Sequence, residues 1–328
     1  MSYQHLSEHE RFLIGHLHNY GLSRRAIAGQ LRRSPGTISR ELRRNRGPGG
    51  GYGSLDAHRR AVRRRQASAR PQRRRRCARL VRYVAERLRR RWSPQQIVGR
   101  LRRDHPHDPN MRVSHETIYQ WVYRNRAAGG DWYQGLRRRR PRRRKHRGNR
   151  DVRGQIPGRV GIEQRPPVVA RRRRFGDWES DTLQGAKGRG HLATHVERRS
   201  RYLLLGRLPD RRACTFNLTT ARLFRAVPRR LRRTLTADNG KEFALFQPLQ
   251  HQLGLRIYFA HPYSAWERGT CENTNGLLRQ FFPTGAPLDQ VSDREIAKVA
   301  RLLNNRPRQC LGYRTPREVL PRSVALQT

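Results

Sequence analysis

Residues 135–150 read GLRRRRPRRRKHRGNR, a stretch that can bury no core and must stay solvated or lie against a polyanion. It divides the chain into a helical half and an alternating strand-and-helix half, which excludes a single-core fold. The length agrees, because one hydrophobic core rarely organises 328 residues. Arginine supplies nearly all the positive charge, since only Lys145, Lys187, Lys241 and Lys298 are lysine. A GC-rich coding genome explains that choice of cation but not the formal net charge of +50, because exchanging lysine for arginine leaves charge unchanged. A long polyanion does explain it, and nucleic acid is the expected partner. A membrane is not expected: no apolar run approaches the roughly 18 residues of a span, and MSYQHLSEHERF holds no apolar signal core. Cys77, Cys214, Cys271 and Cys310 form no C-x-x-C pair and read as reduced thiols in a cytosol.

Composition predicts four segments: an all-α helix-turn-helix module over 1–46, a second helix-turn-helix-like module over 54–126, an arginine-rich linker over 127–174, and an α/β domain over 175–328. In the first module Ser7 with Glu10 forms a capping box, Ser23 caps SRRAIAGQL, and Ser34-Pro35 opens PGTISRELRRN. Ile38 and Leu42 face inward by their i, i+4 spacing, leaving Thr37, Arg40, Arg43 and Arg44 for a DNA major groove. The second module repeats the plan: an amphipathic LVRYVAERLRRR, then Ser93-Pro94 with Gln96, then Ser114 capping HETIYQWVYRN. There His115, Thr117 and Gln120 are the residues expected to reach DNA. A plain helical bundle, spacer or dimerisation element is the alternative for such a block.

The last segment reads as a mixed α/β order with five strands. FGDWESDTLQG is a strand that places Asp177, Glu179 and Asp181 on one face. HLATHVE and RYLLLGRL follow as a hairpin, then a helix over about 212–226. TLTADNGKEF is a short strand ending at Asp238 with a turn at Asn239-Gly240, and open α/β sheets put their sites at such carboxyl ends. RIYFA and a helix within WERGTCENTNGLLRQ complete the run. Trp178 and Trp266 are expected to pack in the core.

Only 24 of the 328 residues are acidic, and this order would bring some of them together. Converging carboxylates repel one another unless a cation intervenes. Hard oxygen donors favour Mg²⁺ or Mn²⁺, and two ions about 4 Å apart activate an attacking hydroxyl and stabilise the leaving oxygen of a phosphodiester. Spacing alone does not choose between Asp181 and its neighbours Asp177 and Glu179, or between Glu267 and Glu272.

GDWESDT, TADNGKEF, HPYSAWERGTCENTNGLLRQFFP and NNRPRQCLGYRTPREVL, in this order and spacing, resemble the IS-thirty family of bacterial insertion-sequence transposases. The resemblance spans nearly the whole chain, including the first helix-turn-helix. It implies a ribonuclease H-like, integrase-type core with a DDE site, here Asp181, Asp238 and Glu272, the last following Asp238 after 33 intervening residues. Those three are the expected catalytic and metal-holding residues, with two Mg²⁺ or Mn²⁺ ions. Family members typically carry asparagine where this chain has Cys271. The resemblance further implies double-stranded DNA as substrate, cleavage at element ends, strand transfer, a circular intermediate in many cases, a dimer or larger assembly on DNA, and a bacterial, nucleoid-associated protein. Arg279, two helical turns after Glu272, is placed to hold a phosphate. A DNA-binding regulator with an inactive core, or a nuclease that cuts without joining, would share much of this pattern.

Overall fold

The computed structural model describes residues 5–47, 49–68, 77–137, 156–262 and 264–321. Most of the run 135–150 therefore lies outside the described residues. The chain forms two compact units, residues 1–77 and 78–328.

Short polar caps set the helices of the first unit. Ser7 Oγ accepts from the Glu10 N–H while the Glu10 carboxylate accepts from the Ser7 N–H, which starts α1 (Glu8–Asn19). Ser23 and Ser34 cap α2 (Arg24–Gln30) and α3 (Pro35–Arg44) in the same manner, with Pro35 at the first helical position. Ile14, Ile27, Ile38 and Leu42 meet in the centre with Ala28 and Tyr52. Beside them lies a buried pair, Arg11 Nε donating to Glu41 Oε1 at 2.8 Å. Asn45 Nδ2 and the Tyr52 hydroxyl donate to the same oxygen, so the buried charge is fully used.

The expected boundary at residue 54 falls inside this unit. Ser54–Ser68 is a further helix, α4, whose Ala57 is fully buried in the first core. Arg60 and Arg64 reach back to the Asn45 carbonyl and side chain. Arginine is a good helix former, so this arginine-rich run folds as a helix once its small-residue stripe finds a surface.

The second unit begins with α5 (Ala78–Arg89), α6 (Pro94–Asp104) and α7 (His115–Ala127), again capped by Ser93 with Gln96 and by Ser114. These helices dock on the far end of the chain. The Arg100 guanidinium grips Glu318 with two bonds of 2.7 Å, and Arg306 Nε donates to Gln96 Oε1 at 2.8 Å. The expected linker is structured at both of its described ends. Residues 132–135 form a 3-10 turn after α7, and over 156–174 Val169 is fully buried while Ile156 joins the sheet core.

Five strands follow in register: β1 (Asp177–Gln184), β2 (His191–Glu197) and β3 (Leu203–Leu208), then α8 (Ala213–Phe224), β4 (Thr234–Ala237), α9 (Phe246–Leu253) and β5 (Arg256–Phe259). Their order is β3-β2-β1-β4-β5, antiparallel across β1–β2–β3 and parallel across β1–β4–β5. Period-two alternation supplies two apolar faces. Trp178, Ala193, Leu235 and Ile257 pack with Phe216 and Phe224 of α8 and with α9. Leu183, Leu192, Val196 and Leu203 pack on the opposite face with α10 (Gly269–Leu278) and α11 (Asp293–Asn304). α12 (Pro316–Val319) carries Glu318 back to α6. Among the described residues no helix is long and apolar enough to cross a membrane.

Candidate active site

β1 is central, so its residues are fixed from both sides. Asp177, Glu179 and Asp181 do share a face, and their hydrogen bonds separate them. Asp177 accepts from Arg174 Nε and Nη2 at 2.8 and 3.0 Å and from the Thr234 hydroxyl at 2.8 Å. Glu179 is fully buried, with Arg198 Nε at 3.3 Å and the Cys271 N–H donating to it at 2.8 Å. Asp177 is thus tied to β4 and to the chain before β1, and Glu179 lies buried against Arg198 and the start of α10, so neither is open to solvent. Asp181, nearest the open end of the strand, keeps a side chain 24% exposed.

Asp238 follows β4 at its carboxyl end, the neighbouring position across the parallel pair. Its Oδ1 accepts from the Gly240 N–H at 3.0 Å, the turn that Asp-Asn-Gly encodes. Asn239 ties the turn to β5 by donating to the Ala260 carbonyl. Between the two aspartates lies Arg268, whose Nη1 is 3.3 Å from Asp181 Oδ1 and whose Nη2 is 3.3 Å from Asp238 Oδ2. Asp181 also accepts from its neighbour Thr182 N–H on Oδ1 and from Asn275 Nδ2 on Oδ2, at 2.8 and 2.9 Å. Burial pushes the Asp238 carboxyl above the usual range; Arg268 opposes this, while Asp181 and Glu242 add to it. The two carboxylates therefore face one point and demand positive charge there.

Glu272 sits on α10, three residues before Asn275 and so on the same side of the helix as the residue that touches Asp181. Its side chain is exposed and bonds neither aspartate, and no cluster of three metal-ligating side chains forms among the described residues. Glu267 differs: it accepts from the His261 backbone and from Nδ1 of the same ring, both at 2.8 Å, and closes the preceding loop. Cys271 is fully buried, with its Sγ 3.4 Å from the Thr194 hydroxyl, and burial raises its thiol pKa well above the ordinary value. Its bond to Glu179 comes from the backbone, which any residue at 271 supplies.

Arg279 donates to the Gln184 carbonyl at the end of β1, leaving Nη1 buried without a partner. Trp178 is in the core as expected, but Trp266 is 75% exposed, because it lies on the short 3-10 turn over Ala265–Arg268 that leads to Arg268. On α3, Arg40, Arg43 and Arg44 are exposed, as are His115 and Gln120 on α7. The Thr37 and Thr117 hydroxyls bond the capping serines Ser34 and Ser114 at 2.8 Å instead of standing free. Sequence reasoning missed Arg268 and the Asn275 contact. One signal was present: α10 begins on an arginine, which the positive end of a helix disfavours unless carboxylates balance it.

A five-stranded sheet of this order, with one acid past the middle of β1 and another just after β4, defines a ribonuclease H-like core, here preceded by helical modules. Comparison with known proteins agrees and narrows it. A family described as a helix-turn-helix domain matches residues 2–45. The transposase for insertion sequence element IS1086 of Cupriavidus metallidurans is 39% identical, covering 99% of this chain and 97% of the relative. Transposase InsI for insertion sequence element IS30A of Escherichia coli K12 is 41% identical over 98% of this chain and 84% of its own. The chain belongs to the IS30 family of insertion-sequence transposases. Among solved structures, the catalytic core domain of BIV integrase aligns with 44% of this chain and 93% of its own, at 20% identity and TM-score 0.35.

Proposed function

We propose that this chain is a DNA transposase that binds the terminal inverted repeats of an insertion sequence and carries out divalent-metal-dependent cleavage and strand transfer. The observation that carries the reading is the meeting of Asp181 and Asp238 on a single guanidinium, in a chain 39–41% identical to relatives named as transposases. Two hard carboxylates that converge on one cation fit Mg²⁺ or Mn²⁺. Asp181 and Asp238 would hold the metal, with Glu272 completing the set from α10. Bound there as a pair of ions, it would polarise the scissile phosphate and activate the attacking hydroxyl.

The chain's own groups orient this site. The Thr182 N–H and Asn275 Nδ2 fix the Asp181 carboxylate, and the Gly240 N–H fixes Asp238. Arg279 braces the end of β1 through the Gln184 carbonyl, and turning its half-exposed guanidinium outward would present it to a phosphate. Exposed Arg40, Arg43 and Arg44 on α3, with His115 and Gln120 on α7, supply the contacts to double-stranded DNA; Thr37 and Thr117 set the helix starts. The function calls for two ends held together, hence a homodimer or larger assembly on DNA, acting in the cytoplasm on the nucleoid.

The test uses DNA carrying the element's ends, with binding read by gel shift and cleavage and joining read on denaturing gels. The unmodified protein should bind, cut and join with Mg²⁺, whereas Asp181→Ala, Asp238→Ala and Glu272→Ala should bind without cutting. Binding without cutting by the unmodified protein supports a regulator instead, and cutting without joining supports a nuclease. Joining by all three variants would refute the site.

A further inference from the structure

Arg268 is 13% exposed and spends both terminal nitrogens on the two aspartates, Nη1 also lying 3.3 Å from the Ser180 carbonyl. Its Nε is buried and has no hydrogen-bond partner. Charge-assisted bonds in which both groups are settled are about 2.7–2.9 Å long. Arg174 on Asp177 and Arg211 on Glu242 reach 2.8 and 2.7 Å; Arg268 stands at 3.3 Å from both of its acids, as far as Arg198 from Glu179, but divided between two carboxylates. A buried cation that is stretched between two carboxylates and leaves one donor unused is held by charge more than by fit. It is the N-cap of α10, where the helix dipole also repels it, and at Gly269, which follows, the space a Cβ would enter is open.

We infer that Arg268 is a built-in counter-ion, occupying the shared face of Asp181 and Asp238 in the metal-free protein and competing with the divalent cation for it. The inference rests on the reading of those aspartates as metal-holding. The placeholder has two consequences. It spares the folded protein two adjacent uncompensated carboxylates. It also lowers apparent metal affinity, because a site blocked for nine-tenths of the time binds about tenfold more weakly than a free one. Arg268 is thus a positioning residue that sets how much metal is needed to open the site.

The experiment titrates the full chain with Mn²⁺ and counts bound ion by electron paramagnetic resonance, for the unmodified protein, Arg268→Ala, Arg268→Gln, and each of these with Asp181→Asn and Asp238→Asn. Arg268→Ala should bind Mn²⁺ about tenfold more tightly, and it should melt lower than the unmodified protein without metal but recover with Mn²⁺. Arg268→Gln keeps hydrogen-bond donors without the charge and should also bind more tightly, which preserves the test where the alanine variant folds poorly. Affinity unchanged or weakened in both Arg268 variants, with binding still abolished by the asparagine changes, overturns the counter-ion role alone. Mn²⁺ binding that survives both asparagine changes overturns the metal-holding reading and the inference with it.

Discussion

Replacing Gly99 with alanine gives a sign that distinguishes a docked second helical block from a loosely tethered one. Gly99 lies in the middle of α6, and in a helix that merely carried charge on its surface the change would stabilise by about 1 kcal/mol. Here a Cβ would lie 2.2 Å from Tyr313 Cδ1 and 2.3 Å from its Cγ. Because Cγ is the root of the ring, rotating the tip does not relieve the overlap. Tyr313 itself stands at φ +60°, pinned by its N–H to the Arg308 carbonyl at 2.9 Å. Overpacking costs about 1–3 kcal/mol, and an overlap at the root of the ring belongs at the upper end, which leaves a net loss of about 2 kcal/mol after the helix gain. In a unit of this size that lowers the melting temperature by about 4–8 °C. Calorimetry or denaturant unfolding of the full chain measures it. Tyr313→Gly removes both the ring and the left-handed strain, so the double variant should recover most of the loss. A melting temperature equal to or above that of the unmodified protein in Gly99→Ala would refute the docking.

Acidification should act through His195, which is fully buried between Phe216 and Phe224, with Ser180 and Thr220 hydroxyls at its two nitrogens. Burial pulls its pKa down to about 3, so the folded state holds it neutral. Its contribution is then complete above pH 6.5 and lost as pH falls toward 3, at up to about 1.4 kcal/mol per pH unit; His195→Gln should flatten that slope in pH-dependent melting curves. Glu41→Ala strands the buried Arg11 charge and should cost the first unit about 3–5 kcal/mol, read as lost end binding with Mn²⁺ binding intact. Arg43→Ala and Arg44→Ala should each weaken binding to DNA ends and lower the slope of log affinity against log salt by about 1, measured by fluorescence anisotropy.

Local chemistry was the most legible part of this sequence. Ser7 with Glu10, Ser23, Ser34-Pro35, Ser93 with Gln96 and Ser114 each mark a helix start where one occurs, because a cap is settled within four residues. The strand alternation of β1 and the turn at Asp238 were legible for the same reason. Features decided by distant partners were not. Asp177, Glu179 and Asp181 are equivalent by periodicity, and only Arg174, Thr234, Arg198 and the Cys271 backbone, all outside β1, reveal that two of them are structural. α4 was hidden because its apolar stripe is alanine, and Trp266 was misplaced because hydrophobicity does not report which residues a short turn lifts off the surface. Arg268 bridges two acids that lie 57 residues apart along the chain, a meeting that no window on the sequence contains.

The most direct measurement of the central claim is metal-specificity rescue at Asp181 and Asp238. Asp181→Cys and Asp238→Cys exchange a hard oxygen donor for a soft thiolate, which Mg²⁺ accepts poorly and Mn²⁺ accepts better. Cleavage of end-bearing DNA by either variant should vanish with Mg²⁺ and return in part with Mn²⁺, while the unmodified protein works with both. Cleavage that persists undiminished with Mg²⁺ in both cysteine variants would contradict the account.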